Sequence, residues 1–221
     1  MTIELPSGFR IVVDPVFSWV SDRADLRIRC GGAFGPSHVT TRLCLRLMDR
    51  HRHRIGDATV LDVGCGTGIL ALAAARMGAA SCIGLDICGR SMMSARHNAE
   101  INNLQSKVRW IQGSTASVRG TFGCVVANLP FPTLWDLLEE ILGAVADEGM
   151  LLLSGFHDIQ WHTIEERLRK RAFAFLEVLS GDLSFGAEPP SGSYTWMALL
   201  ATRPSVFPAA SQAPSSMDNP R

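Results

Sequence analysis

The sequence has no net charge, no paired-cysteine motif and no long apolar run, and each absence excludes a class of protein. Its 21 basic and 21 acidic residues balance, so the overall charge does not point to an acidic polymer as partner. The chain starts without the apolar segment of a signal peptide, and no continuous apolar stretch is long enough to span a bilayer. We therefore expect a cytoplasmic protein that does not contact a membrane.

Motifs for metal and covalent chemistry are missing as well. The six cysteines form no Cys-x-x-Cys pair and lie mostly in apolar segments, which is typical of reduced core residues. No set of His, Cys and Asp stands at metal-ligand spacing, and no Ser, His and Asp arrangement suggests a nucleophile. The sequence therefore predicts neither a metal centre nor a covalent intermediate.

The organisation of the chain favours one α/β domain between two short ends. With 221 residues and 47% hydrophobic content, the chain is long enough for a single well-buried core. Residues 1–30 are predicted to form a short β-rich lead-in that is too small to fold alone, and residues 31–202 the main domain. Residues 203–221 are rich in Pro, Ala and Ser, so we expect a disordered tail.

Strands and helices alternate through the main domain. After a glycine-rich bend at 31–37, helices are predicted at residues 39–50, 69–75, 89–102, 133–146 and 158–172, and strands at 60–63, 81–87, 107–111, 123–127, 149–154, 173–179 and 194–201. Such alternation indicates a parallel sheet with helical crossovers. The loop at 180–193 is too short for a helical crossover, so the last two strands should form an antiparallel hairpin that completes a seven-stranded, mostly parallel sheet.

The most informative stretch joins the first strand of this sheet to a helix through three alternate glycines. Residues 59–70 read Thr-Val-Leu-Asp-Val-Gly-Cys-Gly-Thr-Gly-Ile-Leu. Gly64, Gly66 and Gly68 allow the backbone to turn sharply and to approach a ligand at van der Waals distance. A dinucleotide fingerprint needs a third glycine three residues after the second, and the carboxylate of Asp62 would repel a pyrophosphate. The pattern instead resembles motif I of class I S-adenosylmethionine-dependent methyltransferases.

Two carboxylates beside this loop are candidate ligand groups. Asp62 precedes the first glycine and can either order the loop or hold the ammonium group of an amino acid ligand. Asp86 ends the next predicted strand, about 20 residues beyond the glycine loop, where a carboxylate can accept both ribose hydroxyls. An aspartate at a strand end is also a common helix cap. We assign Asp86 and the following Ile87 to cofactor binding.

A longer resemblance identifies a family. Residues 32–45 read Gly-Ala-Phe-Gly-Pro-Ser-His-Val-Thr-Thr-Arg-Leu-Cys-Leu and resemble the stretch A-F-G-T-G-x-H-P-T-T-x-L-C-L of the ribosomal protein L11 methyltransferase (PrmA) family. The similarity continues through the glycine loop and four short segments, at 84–87, 95–100, 126–128 and 153–155. The resemblance implies a Rossmann-like class I methyltransferase fold and S-adenosyl-L-methionine as cofactor. It also implies cofactor contacts from four positions, Thr41, Gly64, Asp86 and Asn128.

The chain departs from the family pattern at three places. Pro36 and Ser37 replace the glycine and threonine before the histidine, and the family's Asn-Ile-Leu becomes Asn-Leu-Pro at 128–130. The family also has a separate N-terminal domain that recruits the substrate, whereas only about thirty residues precede the matching segment here, too few for an independent core. We therefore expect either a small acceptor or recognition that depends on something outside this chain, such as a partner subunit.

Residues 128–131, Asn-Leu-Pro-Phe, also resemble an N-P-P-Y/F motif beside the place of the transferable methyl group. In enzymes with that motif, the Asn carbonyl and the next backbone carbonyl accept hydrogens from a planar amide or an exocyclic base amine, while the aromatic ring stacks on the substrate. Asn128 and Phe131 are therefore the catalytic candidates. In the structural alternative, Asn128 caps the turn and Phe131 packs in the core.

Three polar residues and an arginine cluster complete the candidates. Ser114 follows the third strand, where such folds contact adenine, although it can equally be a turn residue. His38 could approach the methionine end of the cofactor or begin a helix, and His157 could accept a proton at the ligand-bearing sheet edge or be a solvent-facing cap. Five arginines, at 42, 46, 50, 52 and 54, lie close together on one predicted helix and at its end. They can form a solvated helix face or a patch that contacts RNA.

We interpret the chain as an S-adenosylmethionine-dependent methyltransferase that acts on a nitrogen atom, with a protein acceptor favoured by the family resemblance. Catalysis is expected to rest on proximity and orientation, because a sulfonium is already an activated methyl donor. The alternatives are methylation of a base amine in RNA or DNA, methylation of a small molecule, and a cofactor-binding module without catalysis. In the nucleic acid alternative, the arginine-rich helix is the binding face, and binding weakens steeply with salt.

Overall fold

The computed structural model describes residues 1–14, 24–30, 37–181 and 195–205. Three predictions fall wholly or largely outside the described residues: the glycine-rich bend at 31–37, the loop at 180–193 and the disordered tail from residue 203 onward.

The described chain alternates strands and helices from residue 59 onward. The strands are β1 (Thr2–Glu4), β2 (Arg10–Asp14), β3 (Leu26–Arg29), β4 (Thr59–Val63), β5 (Ser81–Asp86), β6 (Val108–Gln112), β7 (Phe122–Asn128), β8 (Val145–His157), β9 (Ala174–Gly181) and β10 (Trp196–Thr202). The helices are α1 (Val39–Arg50), α2 (Arg52–Ile55), α3 (Ile69–Arg76), α4 (Gly89–Ile101), α5 (Phe131–Gly143) and α6 (Trp161–Lys170), with 3-10 turns at Thr115–Ser117 and Asp158–Gln160.

Seven strands form the main sheet in the order β6-β5-β4-β7-β8-β10-β9. The pairs from β6 to β8 are parallel, whereas β10 runs antiparallel to both β8 and β9. The predicted fold, a mostly parallel seven-stranded sheet that ends in an antiparallel hairpin, is therefore confirmed. Chain order reverses between β4 and β7, and the carboxyl ends of strands at such a switch point form a crevice where ligands bind.

The sheet is covered on both faces, which explains its continuous apolar strands. Successive residues of a strand point to opposite faces, so Val60 packs into one core cluster while Leu61 packs into the other. On the first face the cluster includes α1, α3 and the lead-in, and on the second it includes α5 and α6.

The lead-in strands form a separate three-stranded sheet, in the order β1-β2-β3, that packs on the first face of the domain. Ile11, Leu26 and Ile28 are fully buried in the same cluster as Leu45 of α1. Ser7, in the turn between β1 and β2, donates its backbone amide to the Asp49 carboxylate of α1 at 3.0 Å. The lead-in thus shares its core with the rest of the chain.

Three predicted elements have different bounds in the structure. The helix predicted at 133–146 begins at Phe131 and ends at Gly143, because Val145 already pairs with Phe122 and opens β8. The strand predicted at 149–154 is therefore longer than its apolar centre. The helix predicted at 158–172 starts as a 3-10 turn and ends at Lys170, shortly before Ala172 adopts a φ of 60°.

The cysteines are all among the described residues and are all unpaired thiols. Cys44, Cys65, Cys82 and Cys124 are buried, and Cys30 is half-buried. Cys88 departs from the prediction of a core residue: it is exposed, because it stands at the N-cap of α4 rather than inside a strand. Within the described part of the chain, no helix is long and apolar enough to cross a membrane.

Candidate active site

A cavity of about 590 Å³ opens at the carboxyl end of the sheet, at the switch point between β4 and β7. Its walls come from the loops that follow β4, β5, β6 and β7, from the first turn of α1 and from the start of α5. Eight of the ten predicted site residues line it: Thr41, Asp62, Gly64, Gly66, Asp86, Ile87, Ser114 and Asn128. The other two, Gly68 and Phe131, lie outside the lining.

The three glycines of the loop have different roles. All adopt positive φ, at 71° for Gly64, 55° for Gly66 and 79° for Gly68. A Cβ on Gly64 would lie 2.2 Å from the Leu129 side chain, and one on Gly68 would lie 2.5 Å from the ring of Trp110. Only Gly66 faces open space, with no atom within 4 Å of an added Cβ.

The prediction that all three glycines admit a ligand therefore needs a correction. Gly68 does not line the cavity, and its missing side chain makes room for Trp110. Gly64 lines the cavity, but its missing side chain makes room for Leu129. Close approach of a ligand to bare backbone is possible at Gly66, where the space is open.

Asp62 lies beneath this loop with an exposed fraction of 1%. Its Oδ2 atom accepts a hydrogen bond from the Ala71 backbone amide of α3 at 3.0 Å, so the carboxylate orders the turn from β4 into the helix. Burial raises the pKa of Asp62 to about 7. The Ala71 hydrogen bond lowers this pKa and the negative charge of Asp86 raises it, both by less than burial does. Asp62 also lines the cavity, where a cationic group would find a partner.

Asp86 bridges the glycine loop and the next helix. Its Oδ2 atom accepts from the Gly66 backbone amide at 2.9 Å, and its Oδ1 atom accepts from the Cys88 backbone amide at 2.8 Å. Each carboxylate oxygen can accept more than one hydrogen bond, so both retain capacity toward the cavity. Asp86 is thus not the cap of α4, whose N-cap is Cys88, but it orders the residues before that helix and can still accept hydrogen bonds from a ligand. Ile87 follows with an exposed fraction of 77% and lines the cavity as an apolar surface.

Thr41 and Asn128 come together at another wall of the cavity. Asn128 ends β7, and its Nδ2 atom donates to Thr41 Oγ1 in the first turn of α1 at 3.3 Å. Because the carboxamide is tied to Thr41, its direction is set by α1 as well as by its own strand.

Leu129, which stands where the N-P-P-Y/F motif has its first proline, packs closely against Gly64 and Gly155. Its backbone amide donates to the Ser154 carbonyl at 3.2 Å. Gly155 has a φ of 94°, and a Cβ there would lie 1.9 Å from the Leu129 carbonyl oxygen. The Leu129 side chain fills the space above Gly64, so the segment after Asn128 is held in place without a second proline.

Phe131 does not lie where the motif resemblance places it. The ring is outside the cavity lining and packs at 6.0 Å between centroids from Trp135, against the second core cluster. The physical reason is that α5 begins at Phe131, directly after Pro130 at its N-cap, so the helix directs this side chain to the core side. Ser114, in contrast, lines the cavity next to Gly113 and Thr115.

Trp196 is a cavity residue that the sequence patterns did not single out, since it lies within the apolar strand predicted at 194–201. It is half-buried, lines the cavity, and contacts two imidazoles. The His157 ring lies 3.8 Å from the indole between centroids, and the His38 ring lies edge-on at 5.0 Å. Burial, followed by the charge of His157, lowers the pKa of His38. His38 also begins α1 by accepting from the Thr40 amide at 3.4 Å, as one alternative predicted.

The arginine cluster lies on the surface beside α1. Arg42, Arg46 and Arg50 are the exposed residues of this helix, and Arg50 forms an ion pair with Glu177. His51 reaches the same carboxylate at 2.9 Å. None of these side chains is among the residues that line the cavity.

Comparisons with a family model and with known sequences agree on one family. A family model described as Ribosomal protein L11 methyltransferase (PrmA) matches residues 6–182. The ribosomal protein L11 methyltransferase of Pelotomaculum thermopropionicum is 40% identical over 156 residues, which covers 67% of this chain and 49% of the relative. The protein of the same name from Xylella fastidiosa strain 9a5c is 41% identical over 144 residues, covering 64% and 47%. The chain thus spans about half the length of the curated relatives it matches.

Solved structures agree with the fold. The ribosomal protein L11 methylase of Lactobacillus delbrueckii subsp. bulgaricus superposes with a TM-score of 0.72 and 30% identity, over 92% of this chain and 98% of that one. Magnesium protoporphyrin IX methyltransferase from Synechocystis PCC 6803, solved with bound S-adenosylmethionine, has a TM-score of 0.58 at 18% identity over 77% of this chain and 86% of that one. The second likeness concerns the fold alone.

Proposed function

The chain belongs to the ribosomal protein L11 methyltransferase (PrmA) family, and from that premise we propose that it transfers a methyl group from S-adenosylmethionine to a nitrogen atom of a protein. The observation that carries the proposal is the gathering of the glycine loop, Asp86 and the Thr41–Asn128 pair around one cavity at the switch point of the sheet. Residues far apart in sequence meet there, beside a loop that leaves backbone open at Gly66.

The chemistry of the cavity fits S-adenosylmethionine. The oxygens of Asp86 have remaining capacity to accept the two ribose hydroxyls, and Ile87 offers an apolar surface for a flat base. Ser114 supplies a hydroxyl on the same side. Asp62, once ionised, would hold the ammonium group of the amino acid end, and this gain offsets the cost of a buried charge.

S-adenosylmethionine supplies, when bound, an activated methyl group on a sulfonium. The task of this chain is then to hold a nitrogen lone pair in line with that methyl group, and orientation of this kind can account for much of the rate enhancement. Asn128 would accept a hydrogen from the acceptor through its Oδ1 atom, because its Nδ2 atom already donates to Thr41. Leu129 excludes water above Gly64.

A protein acceptor is the choice that the relatives support, since their names specify a ribosomal protein as substrate. A primary amine of a protein must lose its proton before it attacks, and an environment poor in water favours the neutral amine. Leu129, Pro130, Leu137 and Trp196 give the cavity the apolar walls that such a site needs.

The experiment uses the chain with tritiated S-adenosylmethionine and two acceptor pools, purified ribosomal protein L11 and a cell lysate. Labelled lysate is divided and treated with protease or with nuclease. We expect the label to be attached to protein, so protease treatment should release it and nuclease treatment should not. The matched control is Asn128→Ala, which should bind the cofactor and label poorly.

Label that only nuclease releases would replace the protein acceptor with a base amine. Label confined to compounds of low mass would replace it with a small molecule. Tight cofactor binding with no label in any fraction would contradict catalysis altogether.

A further inference from the structure

The carboxamide of Asn98 joins the lead-in sheet to the glycine loop. This residue lies within α4, has an exposed fraction of 0%, and makes three hydrogen bonds. Its Oδ1 atom accepts from the Arg29 backbone amide at 2.8 Å, and its Nδ2 atom donates to the Arg29 carbonyl at 3.0 Å and to the Thr67 carbonyl at 3.0 Å. One buried side chain therefore links β3 to the loop between Gly66 and Gly68.

Asn102, one turn later, provides an internal comparison. Its Oδ1 atom accepts from the Arg27 amide at 2.8 Å, and its Nδ2 atom donates to the Arg27 carbonyl at 2.6 Å. Its remaining bond goes to the Asn98 carbonyl of the same helix at 2.7 Å. Both asparagines thus pair with β3 in the same way, but of the two only Asn98 has a hydrogen bond to the loop.

The loop needs this contact because its other anchors lie on one side. The amides of Gly64 and Cys65 donate to the Leu85 carbonyl at 2.8 and 3.0 Å, and the Gly66 amide donates to Asp86. All these partners belong to β5, whereas the Thr67 carbonyl is held from α4. Positive φ at Gly66 and Gly68 leaves the Thr67 peptide units between two residues with large conformational freedom.

We propose that Asn98 is a positioning residue that holds the cofactor loop in its binding conformation and makes strand β3 of the lead-in a working part of the cofactor site. The proposal rests on the function proposed above, because it assigns to this loop the binding of S-adenosylmethionine. Asn98 lies outside the cavity lining and acts through Thr67, which lines the cavity.

The first test compares Asn98→Ala with Asn102→Ala in the full chain. Both variants lose the bonds to β3, so both should lower the melting temperature by similar amounts. Asn98→Ala should weaken binding of S-adenosylhomocysteine about tenfold, the equivalent of one buried hydrogen bond, while Asn102→Ala changes it less than about twofold. When the concentration of S-adenosylmethionine is varied, Asn98→Ala should raise KM for this cofactor and leave kcat, the rate constant at saturation, nearly unchanged.

The second test acts on β3 and keeps Asn98. Arg29→Pro removes the backbone amide that donates to Asn98, Arg27→Pro removes the one that donates to Asn102, and Arg29→Ala controls for the lost side chain. Among these variants, Arg29→Pro should weaken S-adenosylhomocysteine binding most and should speed hydrogen exchange at the Gly66 and Gly68 amides in the ligand-free protein.

The outcomes separate the two proposals. If the unaltered chain does not bind S-adenosylhomocysteine in calorimetry, the proposed function fails. If it binds, but the two asparagine variants or the two proline variants weaken binding equally, Asn98 is a structural residue and the inference is overturned. Should Asn98→Ala not fold, the comparison of Arg29→Pro with Arg27→Pro decides the question.

Discussion

The side-chain Nδ2 atom of Asn128 donates a hydrogen bond to the Thr41 hydroxyl oxygen at 3.3 Å. This bond joins the end of β7 to the first turn of α1, across 87 residues of sequence. The Oδ1 atom of the same side chain remains as its hydrogen-bond acceptor. The pair therefore offers a way to separate binding of the cofactor from alignment of the methyl acceptor.

Asn128→Ala should reduce methyl transfer at saturating cofactor about 100-fold, because a misplaced acceptor costs mainly in the transition state. Its affinity for S-adenosylhomocysteine should fall by a much smaller factor. Thr41→Val keeps the carboxamide and loses its anchor, so it should give an intermediate loss of kcat. Equal losses of transfer and affinity in Asn128→Ala, in single-turnover and calorimetric measurements, would make Asn128 a cofactor residue only.

Asp86→Ala should weaken cofactor binding by about 1.5–3 kcal/mol, the range for hydrogen bonds to a charged group. Calorimetry with S-adenosylhomocysteine measures the change, and the melting temperature reports the loss of the bonds from Gly66 and Cys88. Asp147→Ala, which removes an exposed carboxylate outside the cavity lining, is the matched control. Unchanged affinity in Asp86→Ala would exclude the ribose assignment.

Asp62 should make the stability of the ligand-free protein depend on pH. Burial raises the pKa of Asp62 from 3.8 to about 7, so the folded state binds the proton more tightly than the unfolded state does. The resulting stabilisation is complete below about pH 4 and is lost as pH rises through about 7. The free energy of unfolding, measured with urea between pH 5 and pH 8, should therefore fall more steeply for the unaltered chain than for Asp62→Asn. Identical slopes would contradict the raised pKa.

Gly66→Ala and Gly68→Ala should have different consequences. Gly66 lines the cavity, and an added Cβ there meets no atom within 4 Å. Gly66→Ala should therefore lower cofactor affinity at least tenfold, while the positive φ costs about 1 kcal/mol of stability. Gly68→Ala would press on Trp110 at 2.5 Å, so it should cost more stability, about 2–4 kcal/mol. Equal stability losses with equal affinities would contradict this division of roles.

Several features of the fold could be predicted from local sequence. The apolar runs and the alternation from residue 59 onward predicted the parallel sheet, because both faces of such a sheet are buried and the pattern is continuous. Element ends were harder to predict: Val145 extends β8 because its pairing with Phe122 outweighs the helical preference of the preceding residues. Strand pairing of this kind depends on a distant segment, which local propensity does not contain.

In the candidate site, too, some features could be predicted from local sequence and others depended on distant segments. The spacing of Asp62, Gly66 and Asp86 indicated a cofactor loop without structural information. Such a loop consists of a strand, a glycine-rich turn and a helix that are consecutive in sequence, so a local pattern can reveal it. Asn98 lies in the segment 95–100 that resembles the family, and this resemblance is the sequence signal that could have drawn attention to it. Its partners Arg29 and Thr67 are 69 and 31 residues away, so their identity was outside the reach of any local pattern.

By itself the sequence determined the order of the strands and helices, the family and the loop that marks the cofactor site, because these depend on neighbouring residues and on backbone conformations that only glycine adopts easily. Tertiary structure decided what each side chain does there. It turned Phe131 toward Trp135, brought Trp196 to the cavity, and left only Gly66 of the three glycines facing open space. The physical reason is packing: which atoms fill the space beside a residue is set by segments that meet only when the chain has folded.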